Sequence, residues 1–161
     1  MIKAERGELE ELGALLKKHE IEALVALHKP PDLDVRFDVQ RLDRNSLAAS
    51  FPRNRTTGPY YITLSPLLVE WGLTDRVSLS TIILHELAHV IDRLKNWTSY
   101  ASADPLNYPE ILEYEADDFV VACGWKDGLV ATLLLSIARY REHGMAEGMV
   151  DKRLSRLSQT H

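Results

Sequence analysis

Apolar and polar positions change period twice along the chain, and each stretch predicts its own kind of element. From about Glu5 to His28, Leu9, Leu12, Leu16, Ala23, Leu24 and Leu27 recur at helical spacing between Glu and Lys residues. That pattern predicts one or two amphipathic helices packed on a core, ended by Pro30-Pro31. Between Asp34 and Arg41 the period falls to two, with Val35, Phe37 and Val39 alternating with charged residues; this is the signature of a half-buried strand. Ser46–Phe51 and Pro59–Leu64 are two further strand candidates, joined by the polar turn 52–58. After Ser65 the helical period returns. One helix is expected from Ser78 to Lys95, a long aromatic loop over 96–109 (Trp97, Tyr100, Tyr108), and a second helix after Pro109. Gly124 and Gly128 should bracket a turn into a helix over Leu129–Arg141, and Gly144 and Gly148 should precede a terminal amphipathic segment. The fold class expected is α+β: an N-terminal helix, a small antiparallel or mixed three-stranded sheet, and a helical C-terminal half. With no repeat or linker, residues 1–161 read as a single domain.

The candidate chemistry lies in the helix over 78–95, at His85-Glu86-Leu87-Ala88-His89. Residues four apart lie on one helix face, so two imidazole nitrogens can approach one ion at about 2.0–2.1 Å, the ordinary zinc–nitrogen distance. Glu86 falls one step round the helix, where a general base for water activation belongs. A catalytic zinc site takes three protein ligands and leaves one position open. The third ligand should come from Glu110-Ile111-Leu112-Glu113-Tyr114-Glu115-Ala116-Asp117-Asp118. Spacing alone does not choose among Glu110, Glu113 and Glu115.

These two motifs together resemble the M48 peptidases, gluzincins that include the Ste24 and HtpX types, through their E-x-x-A-D element. The resemblance implies a zincin-like fold, with His85, His89 and Glu113 as zinc ligands and Glu86 as the catalytic base. It also implies that Asp117 orients His85. Lys152-Arg153-Leu154-Ser155-Arg156-Leu157 is similar to the family's terminal element, which implies a pair between Arg153 and Asp117. Tyr60–Leu68 looks like the family's edge strand and short helix, so substrate is expected to add to strand 60–64. Two features depart from the pattern. Position 147 is Glu where the family has a His-Pro pair, which leaves His143, Tyr140 and Arg139 as candidates for the oxyanion-stabilising or substrate-contacting group. Membrane helices are absent, so the small soluble minigluzincins are the nearer comparison.

Composition narrows the partners. The chain carries 19 Lys and Arg against 24 Asp and Glu, a net charge of −5, so no global field draws it to nucleic acid or anionic lipid. The local cluster Arg36, Arg41, Arg44, Arg53 and Arg55 is read as a solvated sheet face. No apolar run reaches the 18 or more residues of a membrane span, and the first residues lack the apolar core of a signal peptide. The lone Cys123 excludes an intrachain disulfide and reads as a small core residue. A cytoplasmic zinc peptidase acting on a peptide or protein substrate is therefore expected, with no nucleic-acid or membrane partner. Two alternatives stand beside it: a zinc-holding module that is catalytically silent or latent, and an antirepressor-cleaving protease of the ImmA kind.

Overall fold

The computed structural model describes residues 18–42, 47–51, 59–102, 110–142 and 149–159. Over these the chain is α+β. In order, the elements are α1 (Lys18–His28), β1 (Val35–Val39), β2 (Ala48–Phe51), β3 (Tyr60–Leu64), α2 (Pro66–Thr74), α3 (Arg76–Ser102), α4 (Glu110–Ala122), α5 (Lys126–Glu142) and α6 (Val150–Gln159). The start of the expected N-terminal helix, residues 5–17, lies outside the described residues.

The sheet is mixed and has the order β1-β3-β2. β3 runs parallel to β1, with Val35 opposite Tyr60, and antiparallel to β2, with Ala48 opposite Leu64. Strand 60–64 is thus central, not an edge, and the expectation that it receives substrate is corrected. Its composition suits the centre: Tyr60, Ile62 and Leu64 on one face and Thr63 on the other are all buried. Thr63 donates its hydroxyl hydrogen bond to Asp38, directly opposite on β1. Among the described residues the edges are β1 and β2.

Paired caps place the metal-motif helix. Ser65 caps α2 by accepting the Leu68 N–H at 3.1 Å, with Pro66 in the first turn, where its missing N–H costs nothing. Asp75 ends α2 by donating its own N–H to Trp71 O. Its carboxylate then accepts the N–H and hydroxyl of Ser78, at 2.9 and 2.6 Å, and so opens α3. One residue therefore turns the chain from one helix into the next.

α3 is longer at both ends than the 78–95 expected. No Gly or Pro interrupts the sequence from Arg76 to Ser102, so nothing stops the helix. Residues 96–102, expected in a loop with Trp97 and Tyr100, are helical; residues 103–109, including Tyr108, lie outside the described residues. Between Ser78 and Val90 the helix is buried almost all round. Leu79, Ile83, Leu84, Leu87 and Val90 are core residues, and Thr81, His85 and His89 are buried with them. α3 packs against α1, α2, α4, α5, β2 and β3. A helix buried on every side is the axis of a domain rather than its surface.

α4 ends at Gly124, whose φ of 89° lies in the left-handed region. The N–H of Gly124 reaches Val121 O at 2.9 Å and that of Trp125 reaches Val120 O at 3.2 Å, the paired bonds of a Schellman stop. Gly128, expected in the same turn, instead lies inside α5. A Cβ there would come within 3.1 Å of Val77 Cγ1 and 3.3 Å of Thr81 Cγ2. Its role is close approach: α5 settles onto α3, and Thr132 and Thr81 hydroxyls meet at 2.7 Å across the contact.

Candidate metal centre

His85 and His89 stand one turn apart on the buried face of α3, and Glu113 projects from the first turn of α4 towards them. An acidic side chain there is favoured by the positive helix end. Glu110 and Glu115, the other candidates on spacing, are exposed. Glu113 alone among the three joins the histidines.

The geometry is close. His85 Nε2 and His89 Nε2 are 3.1 Å apart, with the rings edge-on at 85°. The Glu113 carboxylate straddles them, Oε2 at 3.2 Å from His85 Nε2 and Oε1 at 3.2 Å from His89 Nε2. Ligands bound tetrahedrally at roughly 2.0 Å lie about 3.3 Å from one another. Two imidazole nitrogens and a carboxylate thus converge at that spacing in a largely water-free place. Protons could bridge some of these contacts; one cation would satisfy all three groups together, so the donor set fits a metal such as zinc.

The other nitrogen of His85 decides its tautomer. Nδ1 lies 3.0 Å from Asp117 Oδ1, and Asp117 is fully buried on α4. With Nδ1–H donating to that carboxylate, Nε2 presents its lone pair towards Glu113 and His89, as a metal ligand must. Asp117 is held in turn by Arg153 from α6, whose Nη2 and Nε donate to Oδ1 and Oδ2 at 2.7 and 2.8 Å. The Arg153–Asp117 pair implied by the resemblance is therefore present in the fold. Arg153 Nη2 also lies 3.3 Å from His85 Nδ1; since that nitrogen carries the proton given to Asp117, the contact is an electrostatic neighbour, not a second bond.

Electrostatics follow from this arrangement. Burial works against a charged Asp117, but hydrogen bonds from His85 and Arg153 overrule it and bring its pKa down to about 2. Burial likewise opposes ionisation of Glu113, yet the two histidines hold it well below the usual carboxylate range. Burial and then Arg153 oppose a proton on His85; Glu113 and Asp117 outweigh them and push it up to about 9 without metal. The centre is a sink for positive charge.

The remaining sequence candidates divide. Glu86 sits beside the cluster on α3 and is half-buried. Asp118, next to Asp117, faces outward and pairs with Arg156 at 2.6 Å. Arg139 and Tyr140 fall in α5, but their side chains lie outside the described part of the structure, as does the whole of His143. Of the arginine cluster, Arg36 is exposed beside Asp34 and Arg41 is exposed; Arg44, Arg53 and Arg55 lie outside the described residues. Cys123 is half-buried at the end of α4, packed against the core, and burial pushes its thiol pKa up. Beyond the Arg153–Asp117 pair, sequence reasoning missed the further bracing of α4 by Lys152 and Arg156 of α6. Arg156 stacks over the Tyr114 ring at 4.9 Å and donates to Tyr114 O at 3.3 Å, and Lys152 lies 3.6 Å from Glu110. The legible signal was periodic: Lys152 and Arg156 are four apart, opposite acids spaced along α4.

Among the described residues no helix is long and apolar enough to cross a membrane. Comparison with protein-family models, with curated proteins and with solved structures finds no match for this chain.

Proposed function

We propose that this chain is a zinc-dependent peptidase of the gluzincin type, similar in its motifs to the M48 family. The observation that carries the reading is the convergence of His85, His89 and Glu113 at 3.1–3.2 Å, with half-buried Glu86 next to His85 in the chain. In this reading His85, His89 and Glu113 hold the ion. Bound zinc supplies a Lewis acid that polarises a carbonyl and lowers the pKa of water in its open position to about 7.

The chain's own residues do the rest. Glu86 accepts the proton of the attacking water on its carboxylate and hands it to the departing amine. Asp117 keeps His85 in the Nδ1–H tautomer, and Arg153 keeps Asp117 ionised and in place. An extended peptide adds to β2, which packs against α3 and, among the described residues, pairs only with β3. The main-chain groups on its outer edge suit β-augmentation.

The test compares Glu86→Gln with His89→Ala on a peptide library, with and without chelator, alongside metal content. Glu86→Gln should retain stoichiometric zinc and lose cleavage; His89→Ala should lose both. Full cleavage by Glu86→Gln would refute the assigned role. A second reading, a zinc-holding but silent or latent module, draws support from Glu147 standing where the family has its His-Pro pair. Wild-type protein that binds zinc yet leaves every peptide intact would select it.

A further inference from the structure

Of the three ligand groups, Glu113 stands where its helix holds itself least. His85 and His89 lie in the middle of α3 and are buried, whereas Glu113 lies in the first turn of α4. The first four N–H groups of a helix have no partner within it, and terminal turns open more readily than core segments. The core grips this turn through one side chain, since of residues 110–113 only Leu112 is buried. A carboxylate on such a turn needs outside support to meet two imidazoles that are already fixed.

Arg156 gives that support from α6. Its guanidinium lies over the Tyr114 ring, 4.9 Å from the ring centre. It donates through Nη1 to Tyr114 O at 3.3 Å and through Nη2 to the Asp118 carboxylate at 2.6 Å. Tyr114 directly follows Glu113, and its hydroxyl donates to Glu110, one turn back. One planar group thus holds a ring, a main-chain carbonyl and an acid in the turns that surround Glu113. A lone surface ion pair fixes little; a guanidinium that stacks and bonds at once sets both position and orientation. α6 is anchored by separate contacts, because Val150 and Leu157 are buried and Leu154 packs against the core.

We propose that Arg156 is a positioning residue of the metal centre, fixing the first turns of α4 so that the Glu113 carboxylate meets His85 and His89. Its role differs from that of Arg153, which acts on His85 through Asp117. Arg156 works one step further out, on the backbone that carries the third ligand. This inference rests on the metal-binding part of the reading above and holds whether or not peptide is cleaved.

Zinc affinity, measured on the full chain by competition with a chelating dye, tests it in a double-mutant cycle of Arg156→Met and Glu113→Ala. Arg156→Met alone should weaken zinc binding about tenfold, the lower end for groups that orient ligands from outside. In the Glu113→Ala background the same change should alter affinity less than twofold, because no carboxylate remains to be placed. A general loosening of the fold would instead weaken binding by the same factor in both backgrounds. With cobalt(II) in place of zinc, the visible spectrum of Arg156→Met should shift from the wild-type form towards that of Glu113→Ala. Unchanged affinity and spectrum in Arg156→Met, or an equal loss in both backgrounds, would overturn the proposal and leave the zinc reading standing. Wild-type protein that takes up no stoichiometric zinc would overturn both.

Discussion

Asp117 carries the largest electrostatic consequence of any single residue here. It is fully buried, and two cationic or polar donors hold it ionised. Removing Arg153 by Arg153→Met strands that charge, which costs about 3 kcal/mol when one partner of a buried pair is lost; urea unfolding midpoints should show it, with Arg153→Lys in between. Asp117→Asn releases the His85 ring instead, and zinc affinity should fall roughly 10- to 100-fold, read by competition with a chelating dye. Acid sensitivity follows from the lowered pKa. Because the folded value lies near 2, below the 3.8 of the free group, its stabilisation is complete above about pH 4 and disappears as pH falls towards 2. His85 in metal-free protein has the opposite sign. Its pKa is raised to about 9, so its contribution is full below about pH 6.5 and is lost as pH rises through 9. Metal binding must expel that proton. Titrating zinc into metal-free protein at pH 8 should therefore release about one proton from His85, measured with a pH indicator in weak buffer; an ordinary histidine would release almost none.

At the scale of elements, the contact of α3 with α5 and the opening of α3 are the two points where one residue decides the geometry. Gly128 lets α5 lie directly on Val77 and Thr81. Gly128→Val would force a side chain into space already filled, and overpacking of this kind costs about 1–3 kcal/mol. The thermal midpoint should drop, and the Thr81–Thr132 hydroxyl contact should open in a crystal structure of the variant. Asp75 stops α2 and starts α3. Asp75→Ala removes the cap and should cost about 1 kcal/mol, with fraying at residues 76–79 visible as faster amide exchange. Element boundaries follow the same logic. α3 overran its expected end because the sequence offers no breaker before Pro105, while α4 stops at Gly124 because only that residue accepts the left-handed turn cheaply.

At the scale of the described fold, three helices from separate stretches of sequence meet at the histidines: α3 with His85 and His89, α4 with Glu113 and Asp117, and α6 with Arg153. A metal at their junction would tie them together, so its removal should loosen the helical half as a unit. Excess ligand at a hundred times its dissociation constant stabilises a fold by about 2.7 kcal/mol. Chelation should lower the thermal midpoint of the wild-type protein by several degrees and leave that of His89→Ala nearly unchanged, measured by calorimetry.

Local pattern alone determined the α+β class, the three strands, the helix bearing His85 and His89, and the acidic start of the next helix. These are properties of nearby residues: period, breakers and caps. Choosing Glu113 over Glu110 and Glu115 needed either a family likeness or the crossing of two helices, because all three stand near one another on the same stretch of chain. Strand order was equally hidden: β3 is central because β1 and β2 both reach it, and pairing between distant segments leaves no period in either. The bracing of α4 by Lys152 and Arg156 and the close seat of Gly128 belong to the same class. Such contacts arise only when the chain returns on itself, so they were decided in three dimensions.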